Sequence, residues 1–171
     1  YKAIANATEL PVIIYNVPGR TSSNISAELT VKLANECKNI VALKEASGDF
    51  SQIMQVIKHQ PEGFDLLSAD DALTLPMISL GTSGVISVVA NSHPREFCNL
   101  VNAAISGDLE TANEDQYQLL DDIDALFKEG SPSGLKAALE IMGLFKQYVR
   151  LPLVPVSEEH YVHLQKLLSD L

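Results

Sequence analysis

Four short apolar runs recur along the chain, at residues 12–17, 40–46, 64–69 and 84–89. They are rich in Val, Ile and Leu with little polar alternation, the pattern of parallel strands covered by helices. A loop and a helical pattern follow each run. After the first, Ser26 stands as an N-cap, Glu28 lies in the first turn, and Leu29 and Leu33 share a face. After the second, Phe50, Ile53, Met54 and Ile57 form an i, i+3, i+4, i+7 stripe that stops before Pro61. After the third, the pair Asp70-Asp71 can cap a helix that must accommodate Pro76. The fourth helix is the plainest, with Pro94 in its first turn, then Phe97, Leu100, Val101, Ala104 and Ile105, and Gly107 as its stop.

Beyond Gly107 the strand signals cease. Leu109, Ala112, Leu119, Leu120, Ile123, Leu126 and Phe127 predict one long helix, and shorter helices are expected near 133–142 and 157–169. Strands alternating with helices imply βα units and a parallel sheet. Four such units are too few to close an eight-stranded barrel, which usually takes about 250 residues. Either the chain forms a small open sheet, or it carries the second half of a TIM (β/α)8 barrel. The opening stretch Tyr1–Thr8 reads as the tail of a helix already under way and lacks an initiator methionine, as in a piece of a longer protein. Barrel enzymes place reactive side chains at the carboxyl ends of strands, where Tyr15 and Lys44 fall in their runs. Both features favour the half-barrel: an α/β fold with barrel elements over 1–106 and a C-terminal helical extension over 107–171.

The composition is that of a globular protein, 46% hydrophobic and 20% charged over 171 residues. A net charge of −10 argues against nucleic acid and against an anionic membrane surface as partners. No apolar stretch approaches the roughly 20 residues that span a bilayer, and no signal peptide precedes the first strand. Cys37 and Cys98 have neither metal-ligand spacing nor a disulfide framework, so both read as reduced residues of a cytoplasmic protein.

The second run, Ile40-Val41-Ala42-Leu43-Lys44, ends in a lone amine. Burial disfavours the charged form of lysine, and a neutral amine attacks ketones to form a Schiff base. The first run ends in a phenol, Tyr15, with a guanidinium, Arg20, just beyond. An amine, a phenol and a guanidinium at strand ends suggest chemistry on a small keto acid. Each alone has a plainer reading. Such a lysine more often snorkels to solvent, Tyr15 could be a boundary aromatic, and Arg20 could decorate the Pro18-Gly19 turn.

Four segments together say more: Tyr15-Asn16-Val17-Pro18-Gly19-Arg20-Thr21, Ala42-Leu43-Lys44-Glu45-Ala46-Ser47-Gly48-Asp49, Ser68-Ala69-Asp70-Asp71-Ala72 and Gly84–Asn91. In order and spacing they resemble the dihydrodipicolinate synthase family, and the resemblance covers essentially the whole chain. It implies a pyruvate-dependent Schiff-base enzyme on a (β/α)8 barrel with C-terminal helices, commonly tetrameric. By that resemblance Lys44 would form the imine with pyruvate and Tyr15 would shuttle protons. Arg20 would hold the carboxylate of aspartate semialdehyde, and the backbone carbonyl of Ile86 would help position pyruvate, its side chain belonging to the core. Arginine suits carboxylates through its planar fork. No metal or organic cofactor is implied. The substrates would be pyruvate and aspartate semialdehyde, and the protein a homo-oligomer, dimer or tetramer. The pyruvate-carboxylate cradle would lie in a preceding N-terminal half, which activity would require.

Glu45 should point away from Lys44, because side chains alternate across a strand, and so is not assigned as a base. Ser131 stands where the family usually has asparagine, which leaves the Schiff-base chemistry untouched. Ser133-Gly134-Leu135-Lys136 fits an S-x-x-K pattern without its partner motifs and suits a helix start. His160 and His163, with Glu159, read as a solvated helix face, as do Asp121, Asp122 and Asp124. Two other functions stay open: a sister 2-keto-acid aldolase such as N-acetylneuraminate lyase, and an inactive structural fragment whose unpaired sheet edges invite another chain.

Overall fold

The computed structural model describes residues 1–170. Each apolar run becomes a strand: β1 (Val12–Asn16), β2 (Ile40–Glu45), β3 (Asp65–Ser68) and β4 (Gly84–Val85). Among the described residues these form one sheet in the order β1-β2-β3-β4, every neighbouring pair parallel. The register lines up Tyr15, Lys44, Leu67 and Gly84 in one row, and Asn16, Glu45, Ser68 and Val85 in the next. Strand, helix and strand in this order are four βα units, the half-barrel architecture that the run spacing predicts.

The helices are α1 (Lys2–Ala5), α2 (Pro18–Thr21), α3 (Ala27–Glu36), α4 (Phe50–His59), α5 (Thr74–Leu80), α6 (Pro94–Ser106), α7 (Leu109–Phe127), α8 (Ser133–Ile141) and α9 (Glu158–Leu167). α3 starts at the expected cap, and α4 at one that its apolar stripe does not reveal. The Ser26 hydroxyl accepts the Leu29 N–H at 3.2 Å, and the Asp49 carboxylate accepts the Gln52 N–H at 3.0 Å. Asp70 instead caps a turn, accepting the Ala72 N–H at 3.0 Å and the Leu73 N–H at 3.3 Å. The helix therefore begins only at Thr74, and Pro76 falls in its first turn, where its missing N–H costs nothing. Gly107 stops α6 with φ +84°, a conformation open mainly to glycine.

One run falls short of its expected length. The 84–89 run keeps only two strand residues. Asn91 Nδ2 donates to the Val88 carbonyl at 2.9 Å and Ser92 Oγ to the Val89 carbonyl at 3.1 Å, so Val89–Asn91 winds into a one-turn 3-10 helix. The helices cover one face of the sheet. Ile14, Leu43 and Leu66 are buried with Leu33, Ile53, Val56 and Met77 of the helices, whereas Ile13 and Tyr15 on the opposite face stay exposed.

Two compact units divide the chain, residues 1–87 with 103–108, and residues 88–102 with 109–171. The first holds the sheet. In the second, the core is built on Ala125, Ala137 and Leu164, with Ile141, Val156, Tyr161 and Leu167 against it. A Cβ added at Gly134 would collide with the Leu126 carbonyl oxygen, so glycine sets the approach of α8 to α7. Glu129 accepts from both the Ser157 hydroxyl (2.6 Å) and the Ser157 N–H (2.7 Å), which pins the N-cap of α9. Those two bonds, the hydroxyl's first, hold the Glu129 carboxyl below the usual range, slightly opposed by desolvation. His160 is 2% exposed and its Nε2 donates to the Ala125 carbonyl at 2.8 Å. The expectation of a solvated histidine face is thus wrong for His160, because the face of α9 that bears it packs against α7. Among the described residues, no helix is long and apolar enough to cross a membrane.

Gly134→Ala should destabilise the protein by about 1–3 kcal/mol, the usual cost of overpacking, despite alanine's better helix propensity. An unchanged or raised urea midpoint would show that the helices have room to spare. For Glu129, whose folded pKa is depressed, the stabilisation is present above the unfolded carboxylate pKa, near 4.3, and is lost as pH falls through the lower folded value. Glu129→Gln should therefore flatten the acid side of the stability–pH curve, while curves of equal slope for parent and variant would sink the assignment.

Candidate active site

Parallel pairing places Tyr15 of β1 directly beside Lys44 of β2, and the two-residue period puts both on the face left open. The Lys44 Nζ lies 4.0 Å from the centroid of the Tyr15 ring, a cation–π contact with the hydroxyl at the ring's rim. Tyr15 is 45% exposed and Lys44 half-buried. The expectation of a buried amine is not met within this chain, because the sheet face that presents Lys44 is the open one.

Arg20 lies in α2, the one-turn helix that directly follows β1, and is exposed. Ser22 ends that turn with φ 54°, rare for a residue other than glycine. Ile86 extends the ladder one residue past β4, its N–H donating to the Ser68 carbonyl at 2.9 Å. Its side chain is 40% exposed, so it is not core: it shares the parity of Lys44 and faces the same open side. The structure thus brings Tyr15 and Lys44 into contact and sets Arg20 and Ile86 at the same carboxyl edge of the sheet.

On the covered face, at the same strand ends, lies a polar cluster that the sequence reading missed. Glu45 is 1% exposed and Asn16 3%. Asn16 Nδ2 donates to both oxygens of Glu45, at 2.9 and 3.0 Å. The Ser47 N–H adds 2.6 Å to Oε1, and Gln52 Nε2 reaches Oε2 at 3.4 Å. The Asn16 orientation is fixed independently, because its Oδ1 accepts the Ile25 N–H at 3.1 Å. Asn24 Oδ1 also accepts from Asn16 Nδ2, at 2.9 Å, while Asn24 Nδ2 donates to Gln52 Oε1 at 2.8 Å. Glu45 meets only donors, as an ionised carboxylate requires. The expectation that Glu45 turns away from Lys44 is borne out. The available signal was parity: Asn16 and Glu45 are two polar residues at positions where helix-covered strands want apolar ones.

A second grouping, Ser92, His93 and Asp122, also escaped the sequence reading. His93 Nδ1 lies 2.9 Å from Ser92 Oγ, and His93 Nε2 lies 3.9 Å from Asp122 Oδ1. The spacing mimics a serine-hydrolase relay, but Ser92 is buried and its hydroxyl donates to the Val89 carbonyl. It is a packing element. Burial pushes the Asp122 carboxyl up, countered by His93, so Asp122 is no wet-surface residue as expected. The S-x-x-K segment is structural, as expected: Ser133 begins α8 and its hydroxyl donates to the Val154 carbonyl at 2.7 Å. Among the described residues no group of three His, Cys, Asp or Glu is placed to hold a metal ion.

The Dihydrodipicolinate synthetase family model matches residues 1–171. A 4-hydroxy-tetrahydrodipicolinate synthase from Phocaeicola vulgatus is 46% identical over 171 residues, covering 100% of this chain and 58% of the relative. The crystal structure of dihydrodipicolinate synthase from Aquifex aeolicus superposes with a TM-score of 0.96 at 43% identity, over 99% of this chain and 58% of that one. The Thermotoga maritima dihydrodipicolinate synthase also gives 0.96, at 38% identity, over 99% and 59%. The chain therefore spans somewhat under two thirds of the length of the proteins it matches.

Proposed function

The chain belongs to the dihydrodipicolinate synthetase family, and from that premise we propose that it carries the reactive amine of a synthase that condenses pyruvate with aspartate semialdehyde to 4-hydroxy-tetrahydrodipicolinate, in the biosynthesis of lysine. The observation that carries this reading is the contact of Lys44 Nζ with the Tyr15 ring at 4.0 Å, at the carboxyl edge of a parallel sheet.

In this reading the neutral Lys44 amine adds to the ketone of pyruvate, and the carbinolamine loses water to give a protonated imine. The imine draws electrons from the adjacent methyl carbon, which loses a proton so that the imine becomes an enamine. That carbon forms the new bond to the aldehyde carbon of the second substrate. The amino group of that substrate then displaces Lys44 from the imine carbon, closing the ring and freeing the enzyme. One water leaves overall. Tyr15 gives and takes the protons of carbinolamine formation and breakdown, a task open to a phenol in contact with the amine. Arg20, on the turn after β1, pairs with the carboxylate of the aldehyde substrate. The Ile86 carbonyl, at the same edge, positions pyruvate.

Residues 1–106 would supply the second half of the barrel and 107–171 its helical extension. The open face bearing Ile13, Tyr15 and Ile86 is where the remainder of a barrel would pack, and its cover would desolvate the Lys44 amine. Residues 1–171 in isolation would then turn over poorly.

Borohydride reduction of the full-length protein with pyruvate, followed by peptide mass mapping, should place a pyruvyl adduct on Lys44; an adduct elsewhere, or none, overturns the reading. Tyr15→Phe should slow turnover roughly 10²- to 10⁴-fold, the usual contribution of a positioned proton donor and acceptor. Arg20→Ala should raise KM for aspartate semialdehyde about 10- to 100-fold, as expected for losing a hydrogen bond to a charged group. Equal KM values, or preference for an aldehyde without a carboxylate, would remove Arg20 from the site.

A further inference from the structure

Lys44 and Tyr15 are each followed in the chain by a member of the buried polar cluster, Glu45 and Asn16. Those two residues are opposed in the row next to the Tyr15–Lys44 row. The cluster crosses five segments that carry or adjoin the candidate site. Glu45 belongs to β2 and Asn16 to β1. Asn24 and Ile25 close the segment that begins after β1 and contains Arg20. Ser47 and Gln52 lie in the loop after β2 and in α4. Asn16 touches both ends of this arrangement: its amide nitrogen holds Glu45 and Asn24, and its oxygen holds the Ile25 N–H.

A carboxylate this deeply buried is stable only while its donors stay in place. Its donors come mainly from the neighbouring strand end and from its own loop. Shifting β1 along β2 would strand the charge, and so would moving the Asn24–Ile25 turn. The cluster therefore fixes the relative heights of three site elements from behind the sheet: the strand end bearing Tyr15, the strand end bearing Lys44, and the segment bearing Arg20. It does so without touching the open face. We infer that Asn16 and Glu45 are positioning residues of the Lys44 site, acting through the register of β1 on β2 and through the Arg20 segment. This rests on the Schiff-base reading above.

The test compares the full-length protein with E45Q, with the double variant N16D/E45Q and with Q52A. The readouts are thermal unfolding, the rate of borohydride-trapped pyruvate adduct at Lys44, and steady-state kinetics scaled to the fraction of sites that can be labelled. E45Q keeps the shape of the side chain but turns one acceptor into a donor among donors. It should slow labelling and kcat per competent site about 10- to 100-fold, the scale of an ångström-level misplacement. N16D/E45Q reverses donor and acceptor across the pair and should recover several-fold of that loss, as no bulk-stability effect would. Q52A removes the Asn24 contacts and only the longest of the Glu45 donors, so it should raise KM for aspartate semialdehyde about 3-fold or more while slowing pyruvate labelling far less than E45Q does.

If E45Q labels and turns over within twofold of the parent per competent site, or if the double variant recovers nothing, the positioning role is overturned while the Schiff-base reading stands. A parent protein that forms no Lys44 adduct overturns both. Should E45Q fail to fold, Q52A decides, and an unchanged KM there overturns the proposal.

Discussion

A carboxylate 1% exposed at the end of a strand is the constraint on which the candidate site depends. Without donors such a charge would cost several kcal/mol even after relaxation. Here Asn16 Nδ2 and the Ser47 N–H carry most of that load, and the Asn16 donor is available only in one register of β1 against β2. A slip of β1 by one residue would also turn Ile14 out of the helix-covered core. Apolar burial and polar satisfaction therefore select the same pairing, and that pairing sets Tyr15 beside Lys44. The cation–π contact itself is worth only about 0.5–1 kcal/mol at an exposed site, too little to enforce the geometry it records. The geometry is enforced from the other side of the sheet.

Much of this fold is legible from periodicity and caps. Ser26, Asp49 and Gly107 each do at a helix boundary what their chemistry predicts. The apolar stripes are less literal. Leu29, Met54 and Ile105 belong to the expected faces yet are exposed, because a helix packed on a sheet buries an arc narrower than its apolar stripe. In α4 the fully buried positions are Ile53 and Val56, and Val56 lies outside the four residues that reveal the helix. The shortening of β4 follows from Asn91 and Ser92, whose side chains offer local partners to carbonyls that a longer strand would present to a neighbour.

The site was legible to a different depth for each residue. Lys44 and Tyr15 announce themselves as polar groups closing apolar runs. Asn16 and Glu45 do so only once strand parity is taken seriously, since each stands one position from a residue that draws the eye. Asn24 and Gln52 carry no such signal, because their role comes from side-chain bonds made 28 residues apart. His93 and Asp122 are separated in the same way, and nothing local marks them as neighbours. The exposed Ile86 has another cause. A strand's apolar residue reads as core from composition, but whether its face is covered depends on what packs there, which the run of residues does not specify.

The two-residue period also limits which groups can serve the proposed chemistry. Any proton donor or acceptor that acts at Lys44 Nζ must share its parity or arrive from a loop above the carboxyl edge. Glu45 is the nearest acid in the chain and is excluded on both counts: it lies on the covered face, and its oxygens already accept from Asn16 and Ser47. Tyr15 satisfies parity and row at once. Arg20 satisfies the loop condition, since α2 opens directly off the end of β1. A phenol close at hand and a guanidinium beyond the strand end are what this lattice permits, and the proposed reaction asks for them in that order: proton transfer at the amine, then capture of a carboxylate further out. Had β1 ended one residue earlier or later against β2, the phenol would lie behind the sheet and Asn16 would turn to the open face, leaving Glu45 without its donor. The alternation along β2 that sets Glu45 behind the sheet keeps its carboxylate off the approach to Lys44.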